Sequence, residues 1–515
     1  MIFENSEKTK KNYGEVISTT AFILAVAVAL YLRFYRLEIK PLHHDEGVNS
    51  HFLLSLINDG HYKYDPTNYH GPSLYYFTLL SVKILGESEF ALRFFPALCG
   101  ALTVVLMWGL RRGLGLVGTP VAAWSLALSP GLVYFSRDFI HESSFVFFMT
   151  GMIVAAYNWK KTSSIFWLSI FTGLLFSTKE TSIHTCLILI TALFCTIIWY
   201  QIRGLITGEK RETVKLNVTP LLYEGLQNVA IFLPIAITIY LVFYTSFFTN
   251  PTGPLDFLKS VFQWTGRGFN EHIHDHVWSY YLGILTKLEL PLVIAGVIGF
   301  FITLWKGSRF GLFLMALAYG LVIGYSRIPY KTPWLMVSMI TALAVFSGYV
   351  GQLIFELLKH SAPRLIFIFL LLLLSYPVFQ MSYTINLVKY EDNNNESGYF
   401  ADLGRERKLT AYTDTQYGYV YAQTNDSAKD LFAEINRVNP DEIFYITRDY
   451  WPLPWYLRKY KVSGYEDQAP ENFEGKLLIA AKNQEAETMA KLKGNYIAKT
   501  YQLRPATELV LFIRQ

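Results

Sequence analysis

Residues 21–51 read AFILAVAVALYLRFYRLEIKPLHHDEGVNSH, and this stretch decides what kind of protein the chain is. Its first part is an apolar run, and with its flanking residues it reaches the roughly 20 residues that a membrane-spanning helix needs. Its second part puts two histidines, an aspartate and a glutamate at the rim of that helix. Ionisable groups close to hydrocarbon are costly and usually face a cavity or a partner. The stretch therefore predicts a membrane protein with a polar site at its rim.

The composition of the whole chain supports this prediction. Of its 515 residues, 52% are hydrophobic and 17% are charged, whereas a soluble globular chain carries nearer a quarter charged residues. The mean hydropathy is +0.27, and the aromatic share of 16% is typical of proteins with Trp and Tyr at membrane interfaces. A net charge of only +5 argues against a nucleic-acid partner. The composition predicts a multi-pass protein of the cell membrane.

Eleven apolar segments are predicted to span the bilayer, although some of them are short. They are 15–35, 92–110, 115–135, 143–158, 163–178, 182–202, 228–249, 289–305, 309–326, 333–356 and 364–386. A twelfth apolar run, 71–86, is brief and is interrupted by Lys83. We interpret it as an amphipathic or re-entrant helix at the outer surface.

Basic residues decide that interpretation, because loops rich in Lys and Arg stay on the cytoplasmic side. With a cytoplasmic amino terminus and no span at 71–86, all the basic clusters fall inside: 111–112, 160–161, 201–215, 305–309 and 357–364. A span at 71–86 would move all of them outside. The same count places five segments on the extracytoplasmic face: 41–51, 136–144, 177–182, 250–288 and 325–333.

The pattern changes after residue 387. Residues 388–402 are predicted to be a polar linker, and 403–515 alternates the strand-like runs DEIFYIT, KLLIAAK and ELVLFI with the helix-like runs SAKDLFAEINR and EAETMAKLK. This alternation predicts a small α/β domain. The predicted fold class is thus a mainly α polytopic membrane domain over 1–387, with about eleven transmembrane helices plus juxtamembrane helices, followed by an extracytoplasmic α/β domain.

Ionisable side chains gather in the five outer segments. They are His43, His44, Asp45, Glu46, Arg137, Asp138, His141, Glu142, Lys179, Glu180, Glu271, His272, His274, Asp275, His276, Arg327 and Lys331. Each has an ordinary structural explanation when taken alone: Asp45, for example, stands at or next to the start of an amphipathic helix, where a carboxylate caps free N–H groups. The convergence of five loops on one face favours a site.

The order of the motifs resembles the GT-C superfamily of membrane glycosyltransferases, especially its protein O-mannosyltransferase and aminoarabinose transferase branch. The resemblance covers roughly residues 15–340. It rests on the acidic pair Asp45-Glu46, then HGPSLY (70–75), RFFPALCG (93–100), SPGLVYFSRDFIHESS (129–144), NEHIHDHVWSYYL (270–282) and SRIPYKTPWLMV (326–337). Within that superfamily, YKTPWL and DYWPLPWYLR (449–458) are similar to an archaeal and bacterial group associated with flippase activity.

The resemblance implies an inverting enzyme that takes a sugar from a polyprenyl- or dolichyl-phosphate-linked donor at the outer membrane face. Asp45 matches the base that removes the proton of the acceptor, and Glu46 would orient the acceptor or Asp45. Glu142 stands where the family has a second acidic residue. Asp138 competes for that role, and spacing cannot separate the two.

The departing phosphate needs cations. Lys331 and Arg327 match the basic cluster of the family, and Arg137 and Lys179 are further candidates. Two alternatives stay open for a last group of residues, which would either shape the acceptor site or bind a divalent Mg, Mn or Zn ion. This group consists of His44, Asp138, His272, His274 and His276.

A second hypothesis is a non-enzymatic protein that moves or presents lipid-linked glycans. A transporter should carry ionisable residues midway through its spans, whereas this chain carries them at the outer rim. The sequence therefore predicts a glycosyltransferase. It identifies neither the sugar nor the acceptor, which would be a protein, a lipid or a glycan.

Overall fold

The computed structural model describes residues 2–68, 70–208, 218–270, 275–388, 418–420, 423–504 and 507–515. In these residues the chain forms a helical part up to Val388, followed by a smaller part with a β-sheet. Sixteen α-helices are described in the first part: α1 Ile2–Phe34, α2 His44–Asp59, α3 Ser73–Leu85, α4 Glu89–Leu106, α5 Arg111–Leu128, α6 Pro130–Ser136, α7 Glu142–Tyr157, α8 Thr162–Phe176, α9 Ser182–Thr207, α10 Val218–Tyr244, α11 Gly253–Asn270, α12 Tyr280–Leu288, α13 Leu290–Lys306, α14 Arg309–Arg327, α15 Met336–Leu357 and α16 Ser361–Tyr383. Short 3-10 helices lie at Met107–Leu110 and Pro333–Leu335, and a π-helical turn at Thr384–Val388.

Six helical stretches in the described residues are long and apolar enough to cross a membrane, or seven if the bent pair α12 and α13 forms one span. The six are Tyr13–Phe34, Glu89–Leu128, Ser182–Thr207, Arg309–Arg327, Pro333–Leu357 and Ser361–Val388. The chain bends by 108° between helices α12 and α13. Four shorter apolar helices accompany them: Ser73–Leu85, Glu142–Tyr157, Ser163–Phe176 and Asn228–Tyr244.

All eleven segments predicted to span contain an apolar helix, which confirms the polytopic fold, but helix length supports fewer spans. Two of the segments, 92–110 and 115–135, belong largely to one helical stretch whose backbone turns at Gly115 (φ 78°). Helices α7 and α8 have only 16 and 15 residues. Helix α3 has 13 residues and is about 20 Å long, too short for a hydrocarbon core of about 30 Å. Its length agrees with the interpretation of 71–86 as a helix that does not span, but α7 and α8 are also shorter than that core, so length alone does not distinguish α3 from them.

Helix α15 is the central helix of the bundle. In its apolar window, 94% of the residues are buried, and it packs against α5, α13 and α14. Helices α5 and α15 approach closely at two glycines: a Cβ on Gly118 would lie 2.5 Å from the Gly348 carbonyl oxygen, and one on Gly348 would lie 2.6 Å from that of Gly118. Small residues permit such close packing of helices in membranes.

The carboxyl-terminal part contains helices α17 Ala428–Val438, α18 Leu453–Tyr456 and α19 Glu485–Lys491, a 3-10 turn at Lys482–Gln484, and strands β1 Glu442–Tyr445, β2 Lys461–Tyr465, β3 Leu477–Ala481, β4 Tyr496–Arg504 and β5 Thr507–Arg514. The five strands form one sheet in the order β2-β1-β3-β5-β4. The pairs β1–β2 and β1–β3 are parallel, and the pairs β3–β5 and β4–β5 are antiparallel. This confirms the predicted small α/β domain. Residues 389–417 lie outside the described residues, so the boundaries at 388 and 402 stay predictions.

The core of this domain follows the alternation of its strands. On one face of β3 and β5, Leu477, Ile479, Leu509 and Leu511 are buried beneath α17, and the residues between them are buried on the opposite face. A strand whose two faces are both covered has a continuous apolar run, which is why β1, β3 and β5 are predicted from the sequence. The edge strands β2 and β4 are more polar and were not predicted.

The carboxyl-terminal domain packs directly on the first outer loop. Trp455 is 2% exposed and lies in a cluster with Leu53, Leu56 and Phe139 of the helical part. Three polar contacts fix residues 41–42. Leu42 N donates to the Tyr456 hydroxyl (2.8 Å), Thr424 Oγ1 donates to the Leu42 carbonyl (2.7 Å), and Gln423 Nε2 donates to the Pro41 carbonyl (2.9 Å). The HHDE sequence therefore starts from a backbone that the carboxyl-terminal domain holds in place.

Candidate active site

The site begins at the first turn of α2. His43 is the N-cap, and its Nδ1 accepts a hydrogen bond from Asp45 N (3.1 Å). The Glu46 carboxylate accepts one from His43 N (2.8 Å), which completes a capping box. The sequence places Asp45 at or next to the N-cap. In the structure, His43 and Glu46 cap the helix, and Asp45 is its second residue. The Asp45 carboxylate therefore has no capping role.

Asp45 is half-buried. Among the described residues, none donates a hydrogen bond to its carboxylate, and it forms no salt bridge with any of them. The position lies in the first turn of α2, where the helix dipole favours a negative charge. Its neighbour His44 is a neutral imidazole near pH 7, because burial lowers the pKa of His44 to about 4 although Asp45 opposes that shift. Within the described residues, the Asp45 carboxylate thus takes no part in the hydrogen bonds and ion pairs that hold the fold together.

Glu46 has the opposite environment. It is fully buried, and its two carboxylate oxygens accept from Arg93 Nε and Nη2, both at 2.7 Å. Oε1 also accepts from Phe139 N (2.8 Å). Burial alone would raise the pKa of Glu46, but Arg93 and Lys40 outweigh it and hold the pKa below its usual value. Glu46 therefore joins the first outer loop to the second and is not accessible to a substrate.

In the second loop, the donors of Arg137 are engaged by backbone carbonyls. It is 1% exposed, and its Nη1 and Nη2 donate to four backbone carbonyls at the end of α1, those of Leu32, Arg33, Tyr35 and Arg36. Basic side chains satisfy the free carbonyls of a helix end in this way. Asp138 forms a buried ion pair with Lys40. Arg137 and Asp138 are both engaged in holding the fold.

Glu142 and Lys179 form a second buried pair, with Lys179 Nζ 2.7 Å from Glu142 Oε1. Glu142 is the first residue of α7, and Lys179 lies between α8 and α9. Burial lowers the pKa of Lys179, but Glu142 and Glu180 outweigh it and hold the pKa well above the usual range. Lys179 is thus a permanent cation near neutral pH. Tyr325, near the end of α14, lies beside it.

Two histidines and a second carboxylate extend this pair. Glu180 is fully buried, and its Oε2 lies 3.2 Å from Nδ1 of His70. His141 Nε2 is 3.1 Å from the Gly71 carbonyl, and the His70 and His141 rings lie 4.8 Å apart. The segment that precedes α3 is therefore bound to both the second and the third outer loops.

The late loop 325–333 contributes one buried and one exposed cation. Lys331 Nζ donates to the carbonyls of Ile328 (2.5 Å), His276 (2.9 Å) and Pro329 (3.4 Å). Burial lowers the pKa of Lys331 to about 8, although Asp275 opposes that shift. Arg327 is exposed at the end of α14. Among the described residues, Arg327 forms no hydrogen bond or ion pair.

Direct contacts connect these loops. Asn49, one turn after Asp45 on the same face of α2, donates to the Phe139 carbonyl (2.9 Å) and accepts from the Tyr75 hydroxyl (3.1 Å). The Tyr75 ring contacts His141. His43 contacts Trp334, three residues after Lys331, with 6.2 Å between the ring centroids. The segments 41–51, 136–144 and 325–333 are thus connected to one another by direct contacts, and His70 and Lys179 connect 177–182 to the same group.

The metal hypothesis lies mostly outside the described residues. His272 and His274 fall in 271–274, which the structure does not describe, and the ring of His276 stacks on Tyr280 (4.1 Å between centroids). Within the described ranges, no three His, Cys, Asp or Glu side chains converge in the manner of a metal site. Binding of a divalent ion by the HIHDH segment stays a prediction.

Several residues of the rim are missing from the candidates predicted from the sequence. Arg93 appears there only within a motif, and Lys40 does not appear at all. A buried carboxylate requires a cationic partner, so burial of Glu46 and Asp138 implies that each has an Arg or Lys beside it. The sequence cannot say which Arg or Lys they are, because the partners are 47 and 98 residues away.

Comparisons with known proteins agree with this architecture. Residues 69–207, which include the second and third outer segments, match the family model described as dolichyl-phosphate-mannose-protein mannosyltransferase. No curated protein sequence matches the chain significantly.

Two solved structures share the fold over most of the chain. ArnT from Cupriavidus metallidurans bound to undecaprenyl phosphate is 16% identical, with 95% of this chain and 97% of that chain covered and a TM-score of 0.63. The archaeal oligosaccharyltransferase AglB from Archaeoglobus fulgidus, in complex with an inhibitory peptide and a dolichol-phosphate, is 12% identical, with 91% and 70% covered and a TM-score of 0.57. The chain is thus a polytopic membrane protein with the fold of these two proteins, which agrees with the resemblance to the GT-C superfamily seen in the sequence.

Proposed function

We propose that the chain transfers a sugar from a polyprenyl-phosphate-linked donor to an acceptor, with inversion and with Asp45 as the base. The observation that carries this proposal is the contrast between Asp45 and its neighbours. Glu46, Asp138, Glu142 and Glu180 are buried and paired, whereas the Asp45 carboxylate is half-buried and has no partner among the described residues. The similarity to proteins solved with undecaprenyl phosphate and dolichol-phosphate supports the class of donor.

The proposed reaction is a single displacement. Asp45 takes the proton of the acceptor nucleophile, the nucleophile attacks the anomeric carbon, and the bond between that carbon and the phosphate oxygen breaks. The polyprenyl phosphate leaves with the bonding electron pair. Because attack and departure occur on opposite faces of the sugar, one displacement inverts the anomeric centre. General base catalysis of this kind contributes about 10²- to 10⁴-fold.

In this proposal Glu46 is a positioning residue. It holds the first turn of α2 against Arg93 and the second outer loop. The fixed backbone in turn keeps Asp45 at one place on the rim, which is what an oriented base requires.

We assign the donor phosphate to Arg327 and Lys331, with Lys179 as a further ligand. Arg327 offers exposed guanidinium donors, which bind phosphate in a bidentate manner. Lys331 would have to exchange a bond to a carbonyl for one to phosphate. Lys179 is a cation that Glu142 holds in place, so Glu142 acts through Lys179. Arg137 has no role in this assignment because its donors lie on the carbonyls of α1.

We place the reaction on the extracytoplasmic face. The basic clusters of the sequence support this, because they fall on one side when 71–86 does not span, and α3 is short enough to agree. The carboxyl-terminal domain would lie on the same face, since it contacts the first outer loop.

A transfer assay tests this proposal. Purified protein in proteoliposomes is incubated with labelled polyprenyl-phosphate sugars and a panel of protein, lipid and glycan acceptors, with substrate added from one side at a time. We expect Asp45→Asn to lower transfer by roughly 10²-fold or more with little change in melting temperature. The matched control is Asp59→Asn, which removes an exposed carboxylate at the other end of α2 and should leave the rate unchanged.

Near-normal transfer by Asp45→Asn would contradict the assignment of the base. If no donor and acceptor pair gave product while the protein still moved labelled lipid-linked sugar across the bilayer, the non-enzymatic hypothesis would replace this one.

A further inference from the structure

The carboxyl-terminal domain places an aromatic side chain beside the first turn of α2. Pro452 packs so closely on Gly47 that a Cβ on this glycine would lie 2.7 Å from the proline. The adjacent Trp451 indole makes edge contacts with the rings of His44 and His51, with 6.5 and 5.7 Å between centroids. Since His44 and Asp45 are consecutive, Trp451 is fixed close to the proposed base.

A buried guanidinium organises the segment around Trp451. Arg504 is 2% exposed, and it donates to the Trp451 carbonyl (3.1 Å) and to Asp449 Oδ1 (2.6 Å). The charges of Asp449 and Arg504 both act on His44. This ion pair therefore lies near the first turn of α2 as well, although it is more than 400 residues away in the sequence.

Two groups of this segment are available to a ligand. The Asp449 side chain is 50% exposed, and no described residue donates to its second carboxylate oxygen, Oδ2. Trp451 is half-buried, and its indole Nε1 has no hydrogen-bond acceptor among the described residues. The Tyr450 ring lies 5.0 Å from that of Trp451. A half-buried indole ring, one donor and one acceptor are thus combined beside the proposed site.

We propose that Trp451 and Asp449 form an acceptor subsite for a carbohydrate. This inference rests on the proposed glycosyltransferase function and deepens it, because it names the class of acceptor. A pyranose has a face of C–H groups, which suits an indole surface, and a ring of hydroxyl groups that both donate and accept hydrogen bonds. Asp449 Oδ2 would accept from one hydroxyl and Trp451 Nε1 would donate to another, while Asp45 receives the proton of the reacting hydroxyl.

The same segment is poorly suited to an extended peptide, which binds mainly through free backbone groups. The carbonyls of Tyr450, Trp451 and Pro452 already accept from Leu453 N, Arg504 Nη1 and Trp455 N. The ion pair between Asp449 and Arg504 also makes the surface unfavourable for a lipid tail. A carbohydrate is the class that uses both the aromatic face and the polar groups.

Kinetics with a glycan acceptor test the subsite in the full-length protein. We expect Trp451→Ala and Asp449→Asn each to raise the KM for the acceptor by about tenfold, equivalent to about 1.4 kcal/mol, and to leave the KM for the donor unchanged. Asp467→Asn is the matched control, because Asp467 forms an exposed pair with Arg448 in the same domain. Trp451→Phe should rescue in part, since it keeps an aromatic face but lacks the N–H.

Binding without turnover gives an independent measurement. Neutral mannose and glucose trisaccharides are added to the full-length protein in lipid nanodiscs, and saturation transfer from protein to sugar is recorded by NMR. Saturation that is present in the wild type and in Asp467→Asn, and lost in Trp451→Ala, is the expected result. No saturation transfer to any saccharide in the wild type, or equal transfer in Trp451→Ala, would overturn the proposal. Saturation transfer to a serine- or threonine-containing peptide that is lost to the same extent in Trp451→Ala would also overturn it.

The two proposals fail separately. If Asp45→Asn abolishes transfer but Trp451→Ala leaves the acceptor KM unchanged, the subsite is wrong and the glycosyltransferase stands. If trisaccharides bind through Trp451 but no donor supports transfer, the binding site stands without the proposed reaction.

Discussion

The loops 41–51 and 136–144 of this protein have similar compositions but differ in one carboxylate. In 137–142, the charged side chains are engaged: Arg137 on the carbonyls of α1, Asp138 on Lys40 and Glu142 on Lys179. In 43–46, Glu46 is engaged in the same way, but Asp45 has no partner in the described part of the chain. A buried charge is retained only if it is paired, so the second loop consists of supports. The comparison supports the proposal that Asp45 is the catalytic base.

The largest effect expected from this comparison is on stability. Glu46→Gln breaks a buried pair and leaves the Arg93 guanidinium uncompensated, which should cost about 3–5 kcal/mol of unfolding free energy. Thermal and denaturant unfolding of the purified protein measure it. The control is Glu87→Gln, which removes the partner of Arg458 in an exposed pair and should cost less than about 1 kcal/mol. A Glu46→Gln variant of normal stability that had lost transfer would break the comparison.

A smaller effect is expected at the Glu142 and Lys179 pair. Lys179→Met leaves the Glu142 carboxylate buried without its partner, and the double variant Glu142→Gln/Lys179→Met should recover about 0.5–3 kcal/mol of the lost stability. Unfolding of the single and double variants gives the coupling energy. The exposed pair of Lys259 and Asp256 supplies the control cycle, with coupling below about 1 kcal/mol.

The same variants separate support from phosphate binding. If Lys179 also holds the donor phosphate, the double variant regains stability but not transfer. If the double variant regained both stability and transfer, Lys179 would have only a structural role, and the donor phosphate would be assigned to Arg327 and Lys331 alone.

The smallest effect concerns pH. Burial lowers the pKa of Lys331 to about 8, against 10.5 for an ordinary lysine, so the folded protein loses this cation as the pH rises through 8. If Lys331 holds the donor phosphate, donor affinity should be nearly full at pH 7 and fall by up to about tenfold from pH 7 to pH 9. Lys331→Arg, which stays charged, should remove that dependence. Equal pH profiles of wild type and Lys331→Arg would exclude Lys331 from the phosphate site.

The sequence by itself determined the class of protein and its division into two parts. Apolar runs are local properties that a bilayer imposes on any chain, and they were sufficient to predict the polytopic domain and the polar segments between its helices. Continuous apolar runs were likewise sufficient to predict β1, β3 and β5 of the carboxyl-terminal domain, because both faces of these strands are covered. The motifs from Asp45 to Lys331 were sufficient to indicate the GT-C fold.

Only the tertiary structure decided what the charged residues do. Asp45 and Glu46 are adjacent and chemically alike, and they differ because Arg93 and Phe139 N reach one of them and not the other. Arg137 is as basic as Lys331, but the end of α1 takes all the hydrogen bonds described for it. Trp451 lies near Asp45 only because the two domains pack together. The partners in each case are distant in the chain, and the energy of a charge depends on burial and on those partners, so sequence position does not determine it.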